Sequence, residues 1–162
     1  YCYVVGAGFS LAFSAGYTNA AALSGFLHSV HETEQSVLTQ SVAGLYTLAA
    51  LQVGEGDFPE ASFHPATIAC LCLGACLSSL LNPYAVAFEP RFGPSFWLAS
   101  GLMTLGALCA HFEWTARSEF YFTIMANGVQ NGMSSLYSAN LLRTTHLTGT
   151  TTDIGLLIGQ QS

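Results

Sequence analysis

No charged side chain lies between Tyr3 and Leu27, and the same holds for Gln35–Val53, Ala66–Phe88, Pro94–Phe112 and Phe120–Leu142. The charges gather instead at 32–34, 55–60, 89–91, 113–119, 143 and 153. A helix that crosses a bilayer needs roughly 20 mostly apolar residues, because the hydrocarbon core is about 30 Å thick. Each of the five uncharged stretches meets that length. Thr150–Ser162 begins a sixth and stops after about four turns, so the chain is expected to end inside a longer protein. It begins at Tyr1 with no Met and no basic leading stretch, so no signal peptide is read.

Composition narrows the class further. Only 7% of residues are charged, there is no Lys, and the three Arg are Arg91, Arg117 and Arg143. Nothing in such a chain neutralises a run of phosphates, which excludes a nucleic-acid binder. A soluble globule needs far more surface charge than this. The expectation is an all-α, polytopic membrane helix bundle with about six transmembrane segments, the sixth truncated. It forms a single membrane domain over 1–162, with the lipid bilayer as its first partner.

One stretch organises the chain. Ala126 to Gly159 carries Gly128-x-x-Asn131, then His146-x-Thr148, then an apolar helix. A weaker copy near the N-terminus has Gly16-x-x-Asn19 and His31-x-Thr33 in the same order. This reads as a degenerate internal repeat, with repeat one at about 3–53, repeat two at about 120–162, and the helices of 66–112 between them. Segments one and five lie four crossings apart, which predicts two copies in the same orientation, related by an axis along the membrane normal. Segment four would be the linker of a three-one-three plan.

Small residues recur at helical spacing. Ala12, Gly16 and Ala20 share a face, as do Gly128 with Gly132 and Gly155 with Gly159. Such faces let helix backbones approach closely in lipid, so segments five and six are expected to pack together. Leu73, Gly74 and Ala75 form another close-packing face. Cys2, Cys70, Cys72, Cys76 and Cys109 lie in or beside apolar stretches and read as packing residues, since zinc-type spacing is absent.

The polar turns carry the chemistry. His31, Glu32, Thr33 and Glu34 read either as a solvated, capped turn or as an ion or proton site. Gly54 to Glu60 reads as an acidic Gly/Pro loop without calcium-loop spacing. Segment three is expected to start only after it and to break at Asn82-Pro83. Trp97 and Trp114 mark interfaces, and His111 at that edge reads as hydrated or as a metal ligand. Thr150 to Asp153 has capping-box form, with Thr150 as cap. The backbone N–H groups of Thr148–Thr152 would then favour an anion.

At Ala126-x-Gly128-x-Gln130-Asn131 followed by Thr148-Gly149-Thr150-x-x-Asp153 the chain resembles the YoaK-like family of multi-pass membrane proteins, a domain of unknown function. Leu73-Gly74-Ala75 fits that family's third helix. The first repeat departs from it, with Asn19 where an acidic residue is common and Glu34-Gln35 in place of Gly-Asn. The resemblance implies fold and membrane location rather than an activity.

The function read from these residues is a transporter-like integral membrane protein for a small solute. Its polar contacts, to solute or between helices, are Asn19, His31, Thr33, Gln130, Asn131, His146, Thr148, Thr150 and Asp153. The rival reading is a non-catalytic structural or accessory subunit of a larger membrane complex; the partners expected besides lipid are other membrane subunits or further copies of the chain. No nucleophile of known spacing accompanies His146 and Asp153, so no catalytic residue, metal site or cofactor is assigned and no enzyme is expected.

Overall fold

A computed structural model describes residues 42–84, 92–112, 117–137 and 146–161, with five single positions near the N-terminus: Gly6, Phe9, Ser10, Phe13 and Tyr17. Those five are helical and exposed. The longer described runs hold five helices: α1 (Val42–Glu55), α2 (Phe58–Leu81), α3 (Gly93–Phe112), α4 (Ser118–Tyr137) and α5 (His146–Gln160). No strand occurs among the described residues.

The turn between α1 and α2 follows from Gly56 and Asp57. Gly56 has φ +82°, a conformation that costs a residue without Cβ little. Asp57 then caps α2 and accepts the backbone N–H of Glu60 at 3.2 Å. Pro59 sits in the first turn, where a missing N–H costs nothing. Helix α2 therefore begins at Phe58 rather than after Glu60. The acidic stretch expected to be all loop instead ends one helix and starts the next. Pro65 lies inside α2. The far end is as expected: Asn82 closes the helix, its side-chain amide donating to Ser78 O at 2.8 Å and to Ser95 Oγ of α3 at 2.6 Å.

Helix α2 is the axis of the bundle. Against it lies α4, with Gly128 facing Leu71 and Gly74, and Gly132 facing Ala75 and Ser78. A Cβ on Gly128 would overlap the Leu71 carbonyl oxygen, and one on Gly74 the carbonyl of Met125. On the neighbouring face of α2 lies α5, with Gly155 against Cys72 and Ala75 and Gly159 against Cys76 and Ser79. The small faces of segments five and six therefore meet segment three, not chiefly each other. The reason is geometric: α2 presents a small or backbone-accessible surface on two adjacent sides, and each glycine pair occupies one.

These pairings also fix direction. Residue numbers rise together in Leu71–Gly128 and Ser78–Gly132, and in Cys72–Gly155 and Cys76–Gly159. Helices α2, α4 and α5 thus run parallel. Helix α3 runs the other way, packing Ala99 and Leu102 on Ala126 and Val129, and Gly106 on Thr123 and Glu119. Helix α1 turns back through Gly56 and Asp57, and its Leu45 joins Phe63, Ile68, Leu71, Phe120 and Ile124 in a buried cluster. The second members of the expected repeat, α1 and α5, accordingly run in opposite directions, which a same-orientation repeat does not allow. The first copy's Asn19, His31 and Thr33 lie outside the described residues.

Large apolar side chains also cover the outside: Phe96, Trp97, Leu105, Leu108 and Phe112 on α3, and Leu157 and Ile158 on α5 are exposed. Helices apolar all round belong in a large core or in a membrane. Two of the described helices, α2 and α3, are long and apolar enough to cross a membrane. Helix α4 is long enough but carries Glu119, Asn127, Gln130 and Asn131. Helix α5 has 15 residues, about 22 Å, short of a full crossing.

Candidate functional site: the buried polar file of the central helix

Polar side chains are buried along most of α2: His64 and Thr67 in its first half, Ser78 and Ser79 near its end. The neighbours add Gln52 from α1, Ser95 from α3, Asn127 and Ser135 from α4, and Thr151 and Thr152 from α5. A buried polar group costs free energy unless it is hydrogen-bonded. Some of these are satisfied locally: Thr67 donates to His64 O at 2.7 Å, and Thr123 donates to Glu119 O at 2.7 Å. The hydroxyls of Ser78, Ser79 and Thr152 have no partner among the described residues, nor does either ring nitrogen of His64, a residue only 1% exposed.

The start of the file is held by charge. Arg117 sits just before α4 with φ 71°, a left-handed conformation uncommon outside glycine. Its guanidinium reaches Glu60 Oε2 at 2.5 Å and lies 4.8 Å from the Phe63 ring centroid. Phe63 in turn meets His64, Phe120 and Tyr121 edge-on or tilted, at 5.5, 6.1 and 5.5 Å. The ion pair thus ties the first turn of α2 to the start of α4, with Phe63 between the guanidinium and the neighbouring aromatic rings.

Farther along, Gly128 and Gly155 meet α2 at one depth, at Leu71 and Cys72, and Gly132 and Gly159 meet it one turn on, at Ser78 and Ser79. Asp153, just before Gly155, and Asn131, just before Gly132, therefore lie more than one turn apart along α2. Gln130, Asn131 and Asp153 are half-buried and Thr150 is exposed. Helix α5 begins at His146 and includes Thr148, so Thr150 lies in the helix body and is not its cap. The helix starts about one turn earlier than the Thr150–Asp153 pattern suggests. Between α2 and α5, Cys72 Sγ donates to Thr151 O at 3.4 Å, in keeping with a packing role.

The family is then decided by the match of residues 7–161 to a single family model. This chain belongs to the DUF1275 family of proteins of unknown function. The matched region runs from segment one through α5, so the whole buried file belongs to the family domain. No curated protein and no solved structure matches the chain.

Sequence reasoning missed His64, Asn127, Thr152 and Gln52. The signal for His64 was present. Asp57, Pro59 and Glu60 form an N-terminal capping pattern, and a helix started there takes His64 into the apolar span. Asn127 has no such signal, since only the packing of α4 distinguishes it from Asn131.

Proposed function

We propose that this DUF1275 protein is a multi-pass, transporter-like membrane protein for a small polar solute. The observation that supports this most is the file of buried polar groups along α2. Polar and ionisable side chains inside a membrane are costly, and where they occur they mark solute or ion paths. His64, Ser78, Ser79 and Thr152 add polar atoms without a hydrogen-bond partner among the described residues, and the half-buried Asn131 and Asp153 stand at different depths on α4 and α5. Six segments, the YoaK-like likeness and a bilayer location belong to the same reading.

A second reading, a packing subunit of a larger membrane complex, is favoured by the glycine contacts of α2 with α4 and α5. The two separate on one assay. Purified protein in liposomes is diluted into isosmotic glycerol, glycine or lactate, and swelling is followed by light scattering. Transport predicts faster swelling than in protein-free vesicles for at least one of the three. Identical traces for all three, together with stable co-purification in a large complex, would remove the transporter reading.

A further inference from the structure

We propose that His64 is a proton-binding site inside the bundle, through which solute movement is coupled to a proton; this rests on the transporter reading above. Three observations carry it. The imidazole is 1% exposed, and neither Nδ1 nor Nε2 has a hydrogen-bond partner among the described residues. It lies on α2, one of the two helices long and apolar enough to cross a membrane. It also stands at the first turns of the buried polar file, next to an ion pair, which is where a proton entering from one surface would meet it.

A neutral imidazole has one N–H donor and one nitrogen acceptor. Among the described residues neither is used, which is costly in an apolar interior, and a packing residue of similar size would avoid that cost. Histidine is the side chain that changes charge near neutral pH and serves as a proton shuttle. The step is balanced simply: the free nitrogen lone pair takes a proton from water on one side, and the ring gives one up on the other. No other bond breaks. The charged groups that act on His64 are Glu60, one turn earlier on α2, and Arg117 at the start of α4. From α1 the buried polar side chain is the uncharged Gln52, and on α4 Tyr121 is separated from it by Phe63. Burial of the ring opposes the charged form above all, while a nearby carboxylate favours a proton on it and a nearby guanidinium opposes one, so the ion pair can set how readily the site loads.

The test uses the same liposomes with pyranine trapped inside, and whichever of glycerol, glycine or lactate causes swelling. Wild type should acidify the lumen as it swells. His64→Gln should lose acidification relative to swelling. The ion-pair variants provide a second readout that does not touch His64. Glu60→Gln should lower the acidification-to-swelling ratio and Arg117→Gln should raise it. Both variants break the same contact, so a merely structural effect would move them in the same direction. An unchanged ratio in His64→Gln, or equal shifts in the two ion-pair variants, overturns the assignment. Swelling of wild type without acidification overturns proton coupling and leaves transport standing. Absence of swelling removes both.

Discussion

Helices α2 and α3 pass the same test of length and apolar character, yet they do different work. Helix α2 is surrounded: α1, α4 and α5 all lie on it, and its polar side chains are inside. Helix α3 touches mainly α4 and turns Phe96, Trp97, Leu105, Leu108 and Phe112 outward. The contrast shows that apolar character places a helix in the membrane class without placing it in the bundle. In lipid, helices do not associate to hide apolar surface, since the tails are equally apolar; close backbone approach and polar contacts decide which helix is central. Helix α2 has Gly74 and a run of small residues for that purpose, and α3 presents Gly93 and Gly101 to open space.

The largest expected effect tests that contrast directly. Gly128→Ala sets a methyl group against the Leu71 carbonyl and should cost about 1–3 kcal/mol, as overpacking does. Gly128→Leu should abolish the folded peak on size exclusion in detergent. Gly101, with nothing within 4 Å, should accept Ala or Leu with no loss. Equal losses at both glycines would mean that α2 is not the axis.

Next comes the clamp at the start of α4. Glu60→Gln should lower stability by about 1 kcal/mol, because the pair is partly shielded from solvent but not sealed. Arg117→Gly should lose less than Arg117→Gln, since glycine relieves the φ 71° conformation while both remove the ion pair. Chemical unfolding of both variants in mild detergent reads the difference. A more stable Arg117→Gln would show that the contact with Glu60 does not hold α4 in place.

The smallest effects are expected at two aromatic and thiol positions. Trp97→Ala on the outer face of α3, 82% exposed, should change the unfolding midpoint in detergent by no more than about 0.5 kcal/mol of stability. Cys72→Ser keeps a donor for Thr151 O and should behave like wild type, while Cys72→Ala should lose about 0.5 kcal/mol. A loss at Trp97 larger than at Cys72 would place α3 deeper in the bundle than its exposed face indicates.

Much of this was legible in the sequence. The uncharged stretches overlap four of the five described helices, α1 to α4, and Asn82-Pro83 marked the end of α2, where Asn82 caps the last turn. The Gly128–Gly132 and Gly155–Gly159 faces announced close contacts. What they touch was not legible, because a small face specifies closeness and not a partner; both pairs chose α2. Helix direction was lost for the same reason. Counting crossings assumes that each helix reverses the last, and α4 and α5 are parallel. Asn131 was singled out by the repeated order and Asp153 by the capping-box form of Thr150–Asp153; both are half-buried, outside the fully buried polar file. His64 was passed over because the acidic turn before it was read as loop, although Asp57 and Glu60 already carried the start signal of α2.

The parallel seating of α5 on α2 is the claim on which the rest depends, and cross-linking tests it most directly. In a chain keeping Cys72 as its only native cysteine, Thr151→Cys should form a disulfide with Cys72 under mild oxidation, because Cys72 Sγ already reaches Thr151 O at 3.4 Å. Gly159→Cys in the same background should not, since Gly159 lies against Cys76 and Ser79 farther along the helix. Cross-linking of Cys72 to position 159 and not to position 151 would contradict the account, because it would mean that α5 runs antiparallel to the central helix.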